Sequence, residues 1–164
     1  MLEARRVLAD CEAALDMLED ERDEQRWRVL WVGALALVRA VGHVLWKVDG
    51  RIIPEARDAF RAAYGSWRSE QHPEHLVFRE FIERERDNIL KEYRMNVLDS
   101  SEVAVVVGDS EAGYTTDILD DNLFRPTEEG FRVGEDARDV YREAIQWWDE
   151  QLTRLEAALN RADQ

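Results

Sequence analysis

Two short clusters hold most of the residues that could do chemistry. Arg39 and His43 lie four apart, so on a helix they share one face. Arginine grips a carboxylate or phosphate with a planar fork. Histidine exchanges a proton near neutral pH. The second cluster is Glu85, Arg86 and Asp87, followed by Lys91 and Tyr93. A carboxylate of this group set against Arg39, with Arg86 beside it, has two readings. One is a buried, self-satisfied ion-pair network that fixes helix register. The other is a polar cleft that does chemistry. Elsewhere, His72 and His75 flank Pro73 at a helix start and read as surface residues with local capping roles. Cys11 sits on an apolar stripe and reads as buried and inert.

Two helices must position these clusters. Residues 27–48, WRVLWVGALALVRAVGHVLWKV, are apolar almost all the way round a helical wheel, as a helix in the middle of a core would be. A helix of that length spans roughly 33 Å, which is also the length of a membrane crossing. The content argues against a crossing. The longest uncharged run is residues 29–38, and Arg39 follows near the centre, where a bilayer penalises it by about 3 kcal/mol. Gly33 and Gly42 each weaken a helix by about 1 kcal/mol relative to alanine, so close approach of a neighbouring helix is expected. The second helix covers residues 73–95, with Phe78, Phe81, Ile82, Ile89, Leu90 and Tyr93 as its apolar stripe. Glu85 and Arg86 occupy the stripe between Ile82 and Ile89. Both buried faces therefore carry charge at mid-length, and Glu85 or Asp87 is expected to meet Arg39.

The remaining chain supplies the frame. Leu8, Cys11, Leu15 and Leu18 give residues 2–22 a helical stripe. The polar run at residues 20–26 is expected to break or kink the chain. Asp49 and Gly50 are expected to end the central helix. Pro54 then opens a short helix with Ala56, Phe60, Ala63 and Tyr64 on one side and Trp67 at the core edge. Residues 102–107 and 114–118 read as a β-hairpin, residues 120–134 as a loop, and residues 135–161 as a last helix. Val140, Ala144, Trp148, Leu152, Leu155 and Leu159 form its stripe. Trp147 and Trp148 point about 100° apart, so one of them is expected to face a neighbouring element or a partner chain. The expectation is a mainly α protein: an antiparallel helical bundle of about four long helices with a small β-hairpin before the last helix. Residues 1–164 form one domain, with residues 97–134 as an excursion.

Residues 86–93, RDNILKEY, resemble the signature of HEPN domains, a family of helical bundles. That signature is an Arg with a polar neighbour, then four to six residues, then a His, often with a Tyr two further on. Arg86, Asp87 and Tyr93 take the Arg, polar and Tyr places, and Lys91 stands where the family has His. The resemblance implies metal-free RNA cleavage at a dimer interface, and many family members act as toxins or defence proteins. A histidine near pKa 6.5 can shuttle protons at neutral pH and a lysine near 10.4 cannot, so Lys91 could only stabilise a phosphate charge. The implied protein is a dimeric, partner-binding or regulatory relative without full nuclease activity. The alternative is a metal-independent RNase using Arg86, Lys91 and Tyr93, with Arg39 and His43 nearby.

Composition narrows the classes further. The chain has 164 residues, enough for one core. Its net charge is −14, the wrong sign for a constitutive nucleic-acid binder, so RNA is disfavoured as a partner and a protein partner or a second copy is favoured. The six Trp add aromatic capacity for a homodimer interface. One cysteine excludes a disulfide framework and a multi-cysteine metal site. No cofactor or metal is expected. The N-terminus has no apolar signal core, which suggests a cytoplasmic protein. Of the 22 basic residues only Lys47 and Lys91 are lysine, a bias that fits a GC-rich bacterial coding sequence. Glu21 and Glu24, followed by Glu55 and Asp58, resemble the carboxylate motifs of all-helical, magnesium-dependent nucleotide pyrophosphohydrolases, which gives a second alternative.

Overall fold

The structure is a computed structural model that describes residues 2–53, 57–98, 100, 102–109, 111–119 and 122–162. Among these residues the protein is mainly helical, with five helices and one two-stranded hairpin before the last of them.

Helix α1 spans Glu3–Asp20 and buries Leu8, Cys11, Leu15 and Leu18 against α2 (Glu24–Val44) and against the last helix, α5 (Ala137–Ala162). The polar run does break the chain. Residues 21–23 are not helical, and Asp23 restarts the helix by accepting a hydrogen bond from the Arg26 amide at 2.8 Å.

The central helix does not stop at Asp49–Gly50. It passes through a π turn, Leu45–Asp49, and one further turn, Gly50–Ile52. Gly50 keeps a right-handed backbone, so no left-handed cap ends the helix there. Asp49 is turned inward and its carboxylate accepts from the amides of Glu3 (2.7 Å) and Ala4 (3.0 Å). Leu2, at the N-cap of α1, has no side-chain acceptor, so a residue 45 positions away caps that helix end instead.

The run Glu24–Ile52, 29 residues, is long and apolar enough to cross a membrane by length and composition. The core helix of a soluble protein meets the same measure. Here Trp27, Trp31, Ala34, Leu35, Val38 and Val41 are buried.

The two glycines of α2 part company. A Cβ on Gly42 would lie 3.0 Å from the Trp148 ring, whose Nε1 donates to the Val38 carbonyl at 2.8 Å. Seven residues earlier on α5, the Tyr141 hydroxyl donates to the Ala34 carbonyl at 3.0 Å. Gly42 is thus the close approach that sequence led us to expect. Gly33 has nothing within 4 Å of its Cβ position, so no described residue makes that approach there. Gly33→Ala should therefore raise stability by about 0.5–1 kcal/mol in urea denaturation, and Gly42→Ala should lower it. Equal shifts for the two would refute the assignment.

Helix α3 spans Arg57–Arg68; Pro54, Glu55 and Ala56, expected at its start, lie outside the described residues. Trp67 is not at the core edge. It is 3% exposed and packs against Phe78, Trp147 and Trp148 with ring centroids 5.2–5.6 Å apart. Both tryptophans of the Trp147–Trp148 pair are buried in this cluster, Trp147 stacking on Phe78. Helix α4 follows a 3-10 turn, Pro73–His75. It begins as a π stretch, Phe78–Glu83, and continues as Arg84–Glu92. It is shorter than expected, because Tyr93 adopts a left-handed backbone (φ 50°) and ends it.

Strands β1 (Val103–Asp109) and β2 (Gly113–Leu119) pair antiparallel, Val106 opposite Thr116. Asp109 closes the turn, its carboxylate accepting from the amides of Glu111 and Ala112. The segment after the hairpin is pinned by bridges Val97–Thr127 and Pro126–Asp136. Asp120 and Asp121, at the start of the expected loop, lie outside the described residues.

Candidate binding site

Arg39 does not meet Glu85 or Asp87. Its guanidinium donates to Glu83 Oε1 at 3.3 Å and lies over the Phe78 ring, 5.9 Å from the centroid. The π stretch explains the correction. An i→i+5 turn shifts the helix phase from the 100° spacing assumed by a wheel, and Glu83 is the acid turned towards α2. The same Glu83 oxygen accepts from the Tyr64 hydroxyl at 3.1 Å, and its other oxygen lies 3.6 Å from Arg68.

Glu85 is buried, as its place on the stripe implied, but its partner is Asn96. The Asn96 amide donates to both carboxylate oxygens, at 2.9 and 3.1 Å. The loop that follows the hairpin covers this pair. Gly130 (φ 85°) packs so close that a Cβ there would be 3.1 Å from Glu85. Burial holds the Glu85 carboxyl above the usual carboxylate range, against the opposing pull of the Asn96 hydrogen bond. Glu85 therefore anchors the excursion.

The residues of the RDNILKEY segment do not converge. Asp87 accepts from Lys91 at 2.6 Å and from Arg86 at 2.8 Å, and these two bonds hold its carboxyl below the usual range. Both cations expected to act on a phosphate share one carboxylate. Tyr93, 69% exposed, lines a separate hollow of about 390 Å³ with Arg28, Met95, Val97 and Glu128. Leu90's side chain lies outside the described residues.

His43 and Arg39 open together into a different space. A pocket of about 460 Å³ lies between the C-terminal part of α2 and helix α3. Leu45, Phe60 and Trp67 are its buried apolar walls, and Tyr64 and Trp46 add two more rings. Arg39, Lys47 and Arg61 supply its charge, and among the described residues no acid lines it. The His43 pKa is held below its ordinary value, first by burial, then by the positive charges of Arg39, Lys47 and Arg86, with Glu83 opposing. His43 is thus a neutral imidazole in a positive field, close enough to Arg86 to feel it.

One π stretch lines this pocket and the other stands behind Arg39. Leu45, Trp46 and Lys47 belong to the first, while Phe78 and Glu83, which hold Arg39, belong to the second. π turns are strained insertions that concentrate at functional sites. Trp46, 37% exposed, is held between Arg57 and Arg61, whose guanidinium carbons lie 5.7 and 5.9 Å from its ring. Sequence reasoning missed Lys47, Arg61, Tyr64 and Glu83 as site residues. The signal available was an Arg39–His43–Lys47 series at four-residue spacing.

His75 corrects another expectation. It is 5% exposed, and its Nδ1 accepts a hydrogen bond from Trp147 Nε1 at 3.1 Å. Cys11 is fully buried and burial pushes its thiol up to about 11. Of the carboxylates that suggested a magnesium site, Glu24 is exposed and Glu55 lies outside the described residues. Among the described residues no group of three or more His, Cys, Asp or Glu could hold a metal ion.

No protein-family model, no curated protein and no solved structure matches the chain.

Proposed function

We propose that the chain is a HEPN-like antiparallel bundle, cytoplasmic and dimeric, that works by binding at the pocket between α2 and α3 and does not cut RNA. The observation that carries this reading is the double use of Asp87. It pairs with Arg86 and Lys91 at once, so neither cation is without a carboxylate, while Tyr93 lies beyond the helix end. A phosphate approaching Arg86 would compete with a carboxylate already in place. Support for a dimer comes from the open face of α2, where Val29 is 64% exposed, Ala36 is exposed and Gly33 meets nothing within 4 Å.

The test is incubation of the full chain with single-stranded RNA in the presence of EDTA, beside sedimentation of the same preparation. The expected result is intact RNA and a dimer that Ala36→Arg converts to a folded monomer. RNA products that disappear with Arg86→Ala would overturn the reading. One observation favours the RNase alternative: the neutral His43 imidazole beside Arg39 is a competent proton acceptor. That alternative requires products that vanish with His43→Ala as well.

A further inference from the structure

We infer that the pocket between α2 and α3 holds a small organic monoanion with a planar aromatic body, an aromatic carboxylate being the simplest case. The inference rests on the proposed binding role and names the ligand class.

Size comes first. About 460 Å³ lies within the range of small-molecule sites. The walls come next. Leu45, Phe60 and Trp67 are each at most 3% exposed, so the floor is apolar. Tyr64, edge to face on the buried Trp67 with centroids 6.4 Å apart, is half-buried, and Trp46 is exposed, so these two rings offer surface to a flat guest.

Charge decides the polarity. The chain carries 36 acids against 22 bases, yet among the described residues every charged side chain lining the pocket is a cation. Glu83, set behind the lining, is shared by Arg39 and Arg68, so one positive charge of that group is left over. Lys47 makes no ion pair with any described residue, and Arg61 has only a 3.7 Å contact with the exposed Asp58. The Tyr64–Glu83–Arg39 bonds fix two of the recognition groups before a ligand arrives, which reduces the ordering needed on binding. The His43 pKa, lowered first by desolvation, is lowered further by the same positive field.

The donor set also limits the anion. Among the described residues no glycine loop or helix N-terminus lines the pocket, so they supply no backbone amide cradle of the kind polyphosphates use. Rim cations over an apolar floor fit one charged group on a hydrophobic body.

The experiment is calorimetric titration of the full chain with 1-naphthoate. Three comparison ligands are 1-naphthalenemethanol (neutral), decanoate (not aromatic) and adenosine 5′-monophosphate (a phosphate on a polar body). The expected result is saturable binding of naphthoate, with each comparison ligand weaker by about tenfold or more. Lys47→Gln, on an exposed side chain, should weaken naphthoate by about fivefold and leave the melting temperature unchanged. If Lys47→Gln and Arg61→Gln combined do not fold, the single variant still decides. No saturable binding, equal binding of the alcohol, tighter binding of decanoate or the nucleotide, or indifference to Lys47→Gln would each overturn the inference. Failure here with RNA intact removes only the ligand class. Arg86-dependent RNA cleavage removes the binding role beneath it.

Discussion

Arg125→Ala is expected to destabilise the fold by about 4 kcal/mol in urea denaturation. Arg125 is 0% exposed, and its guanidinium lies over the Trp27 ring, 4.6 Å from the centroid. A desolvated cation over an indole contributes about 2 kcal/mol. Its Nε donates to Asn122 Oδ1 at 2.6 Å, and a hydrogen bond to a charged group adds about 1.5–3 kcal/mol. Asn122 in turn donates to the carbonyls of Leu18 (3.1 Å) and Glu19 (3.2 Å), satisfying the C-terminal end of α1. The Arg125 backbone is tied to α5, its amide donating to Asp136 Oδ2 at 3.0 Å and its carbonyl accepting from the Ala137 amide at 2.8 Å. Arg125 thus joins the end of α1, by way of Asn122, and the start of α2 through its side chain, and the start of α5 through its backbone. Arg125→Lys should recover only part of the loss, because an ammonium has neither the flat face nor the fork. A loss under about 1 kcal/mol for alanine would show that the excursion does not hold these ends together.

Nothing in the sequence marks Arg125. It is one arginine among many, in a stretch whose Pro126, Gly130 and Gly134 read as loop. Its burial depends on where an irregular segment docks, and no periodicity encodes that. The regular elements were legible because their stripes are local. Leu8, Cys11, Leu15 and Leu18 on α1, and Val140, Ala144, Trp148 and Leu152 on α5, are buried as their spacing implies. The hairpin was legible for the same reason, since β-branched residues and turn glycines are neighbours in sequence.

The site was half legible. Arg39 and His43 share a face and open into one pocket, as i and i+4 on a helix should. Their partner was misassigned because a wheel assumes a constant 100° step, and the π stretch at residues 78–83 interrupts it, as another does at residues 45–49. The latter interruption turns Asp49 from an expected helix stop into the cap of α1. His75 was misjudged by type and place. A histidine beside a proline at a helix start is usually solvated, and here the Trp147 indole draws it inward.

His75 carries the second large effect. Its ring packs edge-on against Trp147 with centroids 5.6 Å apart and is the acceptor for that indole N–H. His75→Ala removes a buried ring and leaves a buried donor without a partner. The orphaned donor alone is worth about 1–3 kcal/mol, and with the cavity the loss at pH 7.5 should reach about 3 kcal/mol. The pH response has a definite sign. Burial pushes the His75 pKa below its ordinary value, Glu74 opposing, so the unfolded chain takes up the proton first as pH falls. The contribution of neutral His75 is complete above about pH 6.5 and is lost as pH drops from there through the lower folded value. His43 acts with the same sign, and Glu85, whose pKa is raised, acts with the opposite one. His75→Gln keeps an acceptor for Trp147 and does not titrate. Urea denaturation between pH 7.5 and 5.5 should therefore show a smaller decline in stability for His75→Gln than for the wild type, the other two groups cancelling in the comparison. Parallel declines would mean that His75 does not titrate with folding, and that the Trp147 indole finds its acceptor elsewhere.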